Sequence, residues 1–151
     1  MWDDYDNRLV HDQHPQFPSA IALDPELNAA LQLLGPLEGR IMRLVWSGRL
    51  AEPFTVRDVY ARLHDLAYTT VMTTVARLAD KELLSAEEAS HGRAYVYRIA
   101  LPPADFLRRS SEDQIDDLVA RFGDIALAAF AGRLNTLTPA QRRRLGRSAK
   151  P

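Results

Sequence analysis

The sequence contains no cysteine among its 151 residues. This absence excludes disulfide scaffolds, thiolate nucleophiles, and zinc or copper sites that use cysteine ligands. No apolar run approaches the roughly 18 residues that a membrane-spanning helix needs. The N-terminus carries aspartates where a secretory signal peptide carries lysine or arginine. These absences predict an intracellular, cytoplasmic protein without a membrane partner.

The chain also lacks an excess of positive charge. Nineteen lysine and arginine residues face 20 aspartates and glutamates, for a formal net charge of −1. A basic composition therefore does not by itself predict nucleic-acid binding. The charge is unevenly distributed, because residues 1–35 contain one arginine and six acidic residues. Any prediction of DNA binding has to come from local pattern.

Signatures of catalysis are missing as well. The sequence has no phosphate-binding glycine loop, no G-x-S-x-G and no carboxylate pair in a recognisable context. His11 and His14 form an H-x-x-H pair without further ligands to complete a metal site. The sequence predicts no enzyme activity, no metal site and no cofactor.

The N-terminal part is acidic. Residues 1–23 are polar and interrupted by prolines, which predicts a flexible arm. Asp24-Pro25-Glu26 then predicts a helix capped by Asp24. Residues 1–33 are therefore predicted to be an acidic, partly flexible extension.

Residues 34–101 show the element order of a winged helix-turn-helix, in which the helix before the hairpin enters the major groove. Apolar spacing and turn residues predict three helices, a short β-type run and a β-hairpin. The helices are predicted from Pro36 to about Trp46, from about Arg57 onward, and over about 68–82. The short β-type run is Phe54-Thr55-Val56, and the two hairpin strands are Leu83–Glu88 and Arg93–Ile99. The predicted fold is mainly α with a small β-hairpin.

Threonines and one arginine are predicted to face outward on the helix over 68–82. A threonine hydroxyl can bond a phosphate or a base edge, its methyl group can touch a thymine methyl, and an arginine can reach guanine acceptors. A solvated structural helix is the alternative, but it would more often carry Glu, Lys or Gln. The candidate DNA-reading residues are Thr69, Thr70, Thr73, Thr74 and Arg77.

Four further side chains are candidates for contacts to the DNA backbone. Tyr68 lies at the start of the same helix, and Arg57 lies at the start of the preceding one. His91 and Arg93 lie near the hairpin tip, where a wing contacts the backbone or the minor groove. A solvated hairpin tip is the alternative for these two.

Residues 102–151 are predicted to form a helical dimerisation region after Pro102-Pro103. Its apolar positions have no evident partner in a winged helix of this size, so they are expected to be buried against a second copy of the chain. Folding back onto the chain's own domain is the alternative. The candidate dimer-interface residues are Leu118, Val119, Phe122, Ile125, Ala129, Phe130 and Leu134.

Four ordered motifs resemble the BlaI/MecI/CopY penicillinase-repressor family. They cover residues 34–46 (LGPLEGRIMRLVW), 54–59 (FTVRDV), 66–73 (LAYTTVMT) and 92–98 (GRAYVYR). The resemblance implies a homodimeric transcriptional repressor on a palindromic DNA operator, regulating β-lactam-response or stress-response genes. Half-sites would then be separated by about one helical turn or a multiple of it, ~10 bp.

The chain departs from the family pattern in its regulation. Copper-responsive members carry a C-terminal cysteine cluster, which is absent here. The β-lactam-responsive members are cleaved at an Asn-Phe bond, where this chain has Asp113-Gln114-Ile115. The resemblance therefore leaves open whether a sensor protease or a small effector acts on the protein. The functional alternative is a winged-helix module that binds protein and no DNA.

Overall fold

The computed structural model describes residues 24–90, 92 and 94–148, and the chain divides into two compact units at Ala100 and Leu101. The first unit contains α1 (Pro25–Gln32), α2 (Pro36–Trp46), α3 (Val56–Tyr60), α4 (Tyr68–Asp80), β1 (Leu84–Glu88) and β2 (Tyr95–Ile99). The second unit contains α5 (Pro103–Phe122), α6 (Asp124–Asn135) and α7 (Pro139–Ser148). This arrangement confirms the predicted fold class. The predicted arm over 1–23, with His11 and His14, lies outside the described residues.

The core of the first unit forms where α2 and α4 pack together. Both helices carry apolar residues three and four positions apart, which places them on one face of each helix. The fully buried residues at this contact are Ile41, Met42 and Val45 of α2 and Val71, Val75 and Leu78 of α4. This contact fixes the orientation of α4 and thereby decides which of its side chains face solvent.

Helix α1 begins as its sequence predicts. The Asp24 carboxylate accepts hydrogen bonds from the backbone N–H groups of Glu26 and Leu27 at 3.0 and 3.1 Å, and Pro25 occupies the first turn. Leu27 and Leu31 are buried, and α1 packs against α2. These residues extend the core of the first unit toward its N-terminal side.

The hairpin pairs β1 with β2 in antiparallel register, with Leu84 opposite Ile99 and Ala86 opposite Tyr97. The predicted β-type run before α3 is reduced to one bridge, in which Phe54 and Tyr97 exchange backbone hydrogen bonds of 3.1 and 2.7 Å. The two rings stack at 6.1 Å between centroids. Burial raises the pKa of Tyr97. This bridge ties β2 to the segment that leads into α3.

A capping box begins α3. The backbone N–H and the hydroxyl of Thr55 both donate to the Asp58 carboxylate at 2.8 Å, and the Asp58 N–H donates to Thr55 Oγ1 at 3.3 Å. The bond from the Thr55 backbone, followed by the bond from its hydroxyl, lowers the pKa of Asp58. The folded state therefore favours the ionised carboxylate.

Replacement of Asp58 by alanine tests this cap. We expect Asp58→Ala to lower the free energy of unfolding by about 0.5–1 kcal/mol at pH 7. Because the pKa is lowered on folding, the stabilisation is present above the unfolded pKa of about 3.9 and is lost as pH falls through the folded value. Urea denaturation at a series of pH values from 7 downward measures the difference. Asp58→Asn, which keeps an acceptor oxygen, should lose less. A deficit in Asp58→Ala that does not shrink as the pH falls would contradict the assignment.

The second unit is built on the packing of α5 against α6. Gly123 joins them with φ +60° and ψ −144°, a conformation that only glycine adopts readily. A capping box begins α7, because Thr138 N–H donates to Gln141 Oε1 at 2.9 Å and Gln141 N–H donates to Thr138 Oγ1 at 3.2 Å. Phe106 and Ala126 are the buried apolar residues of this unit within the described chain.

Candidate nucleic-acid interface

The predicted contact helix α4 presents a row of small side chains to solvent. Opposite its buried face lie Thr69, Thr73, Ala76 and Asp80, all exposed. Thr73 Oγ1 donates to the Thr69 carbonyl oxygen at 2.9 Å, which leaves its lone pairs and methyl group for an external partner. Small residues along this row let the helix backbone approach a groove closely. The acidic Asp80 lies at the C-terminal end of this row.

The expectation that Thr74 shares this outward face is wrong. Thr74 is 5% exposed, and its hydroxyl donates to the Thr70 carbonyl oxygen at 2.8 Å within the helix. The reason is helical spacing: Thr74 follows Val71 by three residues and precedes Leu78 by four, so it lies on the face that packs into the core. Thr74 therefore contributes to packing and is removed from the candidate interface.

Arg77 and Arg57 are exposed cations near this face. Neither guanidinium forms a hydrogen bond or ion pair with another residue in the described part of the chain. Other basic side chains of the first unit are engaged: Arg40 pairs with Asp65, and Lys81 pairs with Glu38, each at 2.7 Å. The charges of Arg77 and Arg57 are therefore available for an anionic ligand.

The two engaged pairs hold both ends of α4 to α2. Arg40 makes a two-pronged contact to Asp65, just before α4, and holds the pKa of that carboxyl below its ordinary value. Lys81, at the C-terminal end of α4, donates to both carboxylate oxygens of Glu38. Exposed ion pairs contribute little to stability. Their position nevertheless restricts the tilt of α4 against α2.

The N-terminus of α4 has no side-chain cap. Its N-cap residue is Ala67, with the extended backbone angles φ −70° and ψ 143°. The nearest acidic residue, Asp65, is occupied by Arg40. The backbone N–H groups of Tyr68 and Thr69 precede the first intrahelical bonds and remain oriented along the helix axis. Such a terminus favours an anion through both its donors and its dipole.

A groove of about 400 Å³ lies between α4, the start of α3 and β2. Tyr68 stands at its edge, where its ring packs edge-to-face on Tyr60 with centroids 5.5 Å apart. Sequence reasoning predicted Arg57 and Tyr68 here but missed Met72 and Tyr95. The lining residues are Thr55, Val56, Arg57, Tyr68, Met72, Ala94, Tyr95 and Tyr97.

Two tyrosines on the same face of the wing strand β2 differ in exposure. Tyr97 is buried, whereas Tyr95 is 55% exposed, because the strand extends past the core before reaching the tip. Arg98 lies 4.0 Å from Glu87 on the paired strand, so its charge is partly balanced. The two predicted wing contacts His91 and Arg93 lie outside the described residues and stay predictions.

The second unit exposes the apolar residues that were predicted to form a dimer interface. Ile125 is 78% exposed, Phe122 53% and Leu134 50%, and Val119 is half-buried. A cavity of about 310 Å³ lies between α5 and α6, lined by Leu118, Phe122, Ile125, Ala126, Ala129, Phe130 and Arg133. Ile115 and Leu127 add exposed apolar surface outside the predicted set of interface residues. Exposed apolar surface of this kind is typical of interaction sites.

The described part of the chain shows neither a metal site nor a membrane span. Within residues 24–90 and 94–148 there is no group of three or more histidine, aspartate or glutamate residues that could hold a metal ion. Among the helices of the same ranges, none has the length and apolar character needed to cross a bilayer.

Comparison with known proteins gives one family. The family model described as Penicillinase repressor matches residues 34–150. The chain is 51% identical over 59 residues to proteins named Transcriptional regulator BlaI in two Mycobacterium tuberculosis strains, CDC 1551 and H37Rv. That alignment covers 37% of this chain and 41% of each relative's length. No solved structure matches the chain significantly. Because the family match spans both units, the chain belongs to the penicillinase repressor family.

Proposed function

We propose that the protein is a sequence-specific DNA-binding transcriptional repressor that acts as a homodimer on a palindromic operator. The observation that carries the proposal is the exposed surface of α4, where Thr69, Thr73 and Arg77 present hydrogen-bonding groups on a helix whose N-terminus has no side-chain cap. A helix of this kind enters the major groove in winged helix-turn-helix proteins. The family and the two relatives named as transcriptional regulators support the same function.

Phosphate contacts in this proposal come from both sides of α4. The N–H groups at its N-terminus and the Arg57 guanidinium would each take a backbone phosphate, while Tyr68 would donate its hydroxyl. His91 and Arg93 would add contacts at the wing. Thr69, Thr70, Thr73 and Arg77 would reach the base edges. The acidic Asp80 would lie at the end of the contact, where the helix leaves the groove.

Dimerisation in this proposal uses the apolar surface of the second unit. Phe122, Ile125 and Leu134 are each half or more exposed in the single chain, and a second copy would cover them. A dyad-symmetric dimer presents two copies of α4, so the operator would be palindromic with half-sites about one helical turn, ~10 bp, or a multiple apart. The target genes follow from the operator once it is known.

Salt-dependent DNA binding tests the function. Fragments bound by the full chain are selected from genomic DNA, and the affinity of one fragment and of random DNA is titrated with salt. Arg57 would neutralise one phosphate in each protomer of a dimer, so log K should fall with log salt at a slope of about −2 or steeper. Thr69→Ala/Thr73→Ala should lose the preference for the selected fragment. Equal affinity of the wild type for both DNAs would favour a winged helix that binds protein instead.

Arg77 is expected to discriminate sequence. If its guanidinium pairs with guanine, Arg77→Ala should cost about 1–3 kcal/mol per half-site on the selected operator and relax the preference at one base pair per half-site. Competition binding with operator variants measures both effects. Arg43→Ala, which removes an exposed arginine from α2, is the matched control and should leave the preference unchanged. Equal weakening of Arg77→Ala on operator and random DNA would assign Arg77 to a phosphate.

A further inference from the structure

Exposed apolar side chains of the first unit gather beside α4. In the part of this unit that the structure describes, the large hydrophobic residues with high exposure are Leu33, Tyr60, Tyr68, Met72 and Tyr95. Three of them line the groove between α4 and β2, and Tyr60 packs on one of those three. An exposed apolar cluster on an otherwise polar surface indicates a contact with a ligand that has apolar groups.

Met72 is the aliphatic member of this cluster on α4. It is 45% exposed, whereas Met42 on α2 is fully buried in the core. Met72 lies one helical turn after Tyr68, so both side chains stand on the flank of α4 that faces the groove. It is also adjacent to the exposed row of Thr69 and Thr73. In the proposed complex, a side chain at this position would lie between the bases contacted by Thr69 and Thr73 and the DNA backbone contacted by Arg57.

In the major groove, the apolar group available at this place is the C5-methyl group of thymine. We propose that Met72 is a specificity-determining residue that selects thymine in the operator by packing its thioether against this methyl group. The inference rests on the proposed function and adds a base preference to the flank of α4 next to the wing. The unbranched methionine side chain adapts its shape to such a contact without a polar partner.

Deoxyuridine substitution tests the contact, because deoxyuridine differs from thymidine only by the missing methyl group. Each thymine of the selected operator is replaced singly, and affinities are measured at one salt concentration. For the wild type we expect one position in each half-site to weaken binding about fourfold, as the loss of one buried methyl group implies. Replacement at both symmetric positions should weaken binding about fifteenfold.

The variants assign that loss to Met72. Met72→Ala should bind the thymine and deoxyuridine operators equally at the sensitive position, and Met72→Leu should keep most of the difference. Leu33→Ala, which truncates an exposed leucine outside the cluster, is the control and should behave like the wild type. Circular dichroism and thermal unfolding verify that each variant is folded, as expected for an exposed position in a helix.

The outcomes separate this inference from the proposed function. Selective operator binding with no deoxyuridine-sensitive position would overturn the role of Met72 and leave the repressor function intact. A sensitive position that persists in Met72→Ala would assign the methyl contact to another residue. Absence of any selective DNA binding by the wild type would overturn both.

Discussion

Replacement of Ile125 by aspartate is expected to convert the proposed dimer into monomers and to weaken binding to the full operator by about 100-fold or more. Ile125 is 78% exposed in the single chain, so the change should leave each protomer folded. In the dimer the carboxylate would be buried twice without a partner, which costs several kcal/mol. Losing the second half-site removes the gain in avidity, which reaches ~10²–10⁴ for linked sites.

Analytical ultracentrifugation and operator titration measure the two effects together. Ala120→Asp is the matched control: Ala120 is exposed on α5, and helical geometry places it about 160° from both Leu118 and Phe122. It adds the same charge and should remain dimeric with wild-type affinity. A dimeric Ile125→Asp protein would show that the apolar surface of the second unit serves another purpose. A monomer with undiminished operator affinity would contradict the role of dimer symmetry.

Local sequence signals predicted the helices of the first unit closely. Asp24-Pro25 and Pro36 define where helices begin regardless of tertiary context, because proline fixes φ and the aspartate satisfies free N–H groups. The predicted helix over about 68–82 spans Tyr68–Asp80 in the structure. The helix ends two residues before its predicted bound. Lys81 and Glu82 have no helix-breaking side chain, and the helix ends before them because Leu83 enters the core.

The candidate site was predicted less completely than the fold. Thr74 was predicted to face solvent because threonine is polar and polar residues are more often exposed. In a helix its hydroxyl can be satisfied by the carbonyl oxygen four residues earlier, and the residue then packs like a valine. Met72 and Tyr95 show the converse, since both are large hydrophobic residues that the structure leaves exposed. The spacing of Met72 from Tyr68 and its offset from Val71 were the signals that could have identified it.

The N-terminus of α4 has no side-chain cap, so the helix is less stable at the place where we propose that an operator phosphate binds. Ala67 is a poor N-cap, and its extended backbone would accept aspartate or asparagine without change. We expect Ala67→Asp to raise the free energy of unfolding by about 1 kcal/mol, because the carboxylate accepts from the free N–H groups and complements the helix dipole. The same carboxylate would occupy the place of an operator phosphate and repel the neighbouring phosphates of the DNA. Operator affinity should therefore fall by about 10- to 100-fold per half-site, the cost of about one charge-assisted hydrogen bond.

Ala67→Asn separates the two contributions to this loss. Asparagine caps a helix about as well as aspartate but carries no charge, so it should stabilise the fold similarly and weaken operator binding less. Thermal unfolding without DNA and anisotropy titration with operator give the two quantities for each variant. Greater stability with unchanged operator affinity in Ala67→Asp would show that the N-terminus of α4 does not approach the DNA. Higher stability together with lower operator affinity in Ala67→Asp would mean that α4 is left uncapped in the free protein because the operator phosphate supplies its cap.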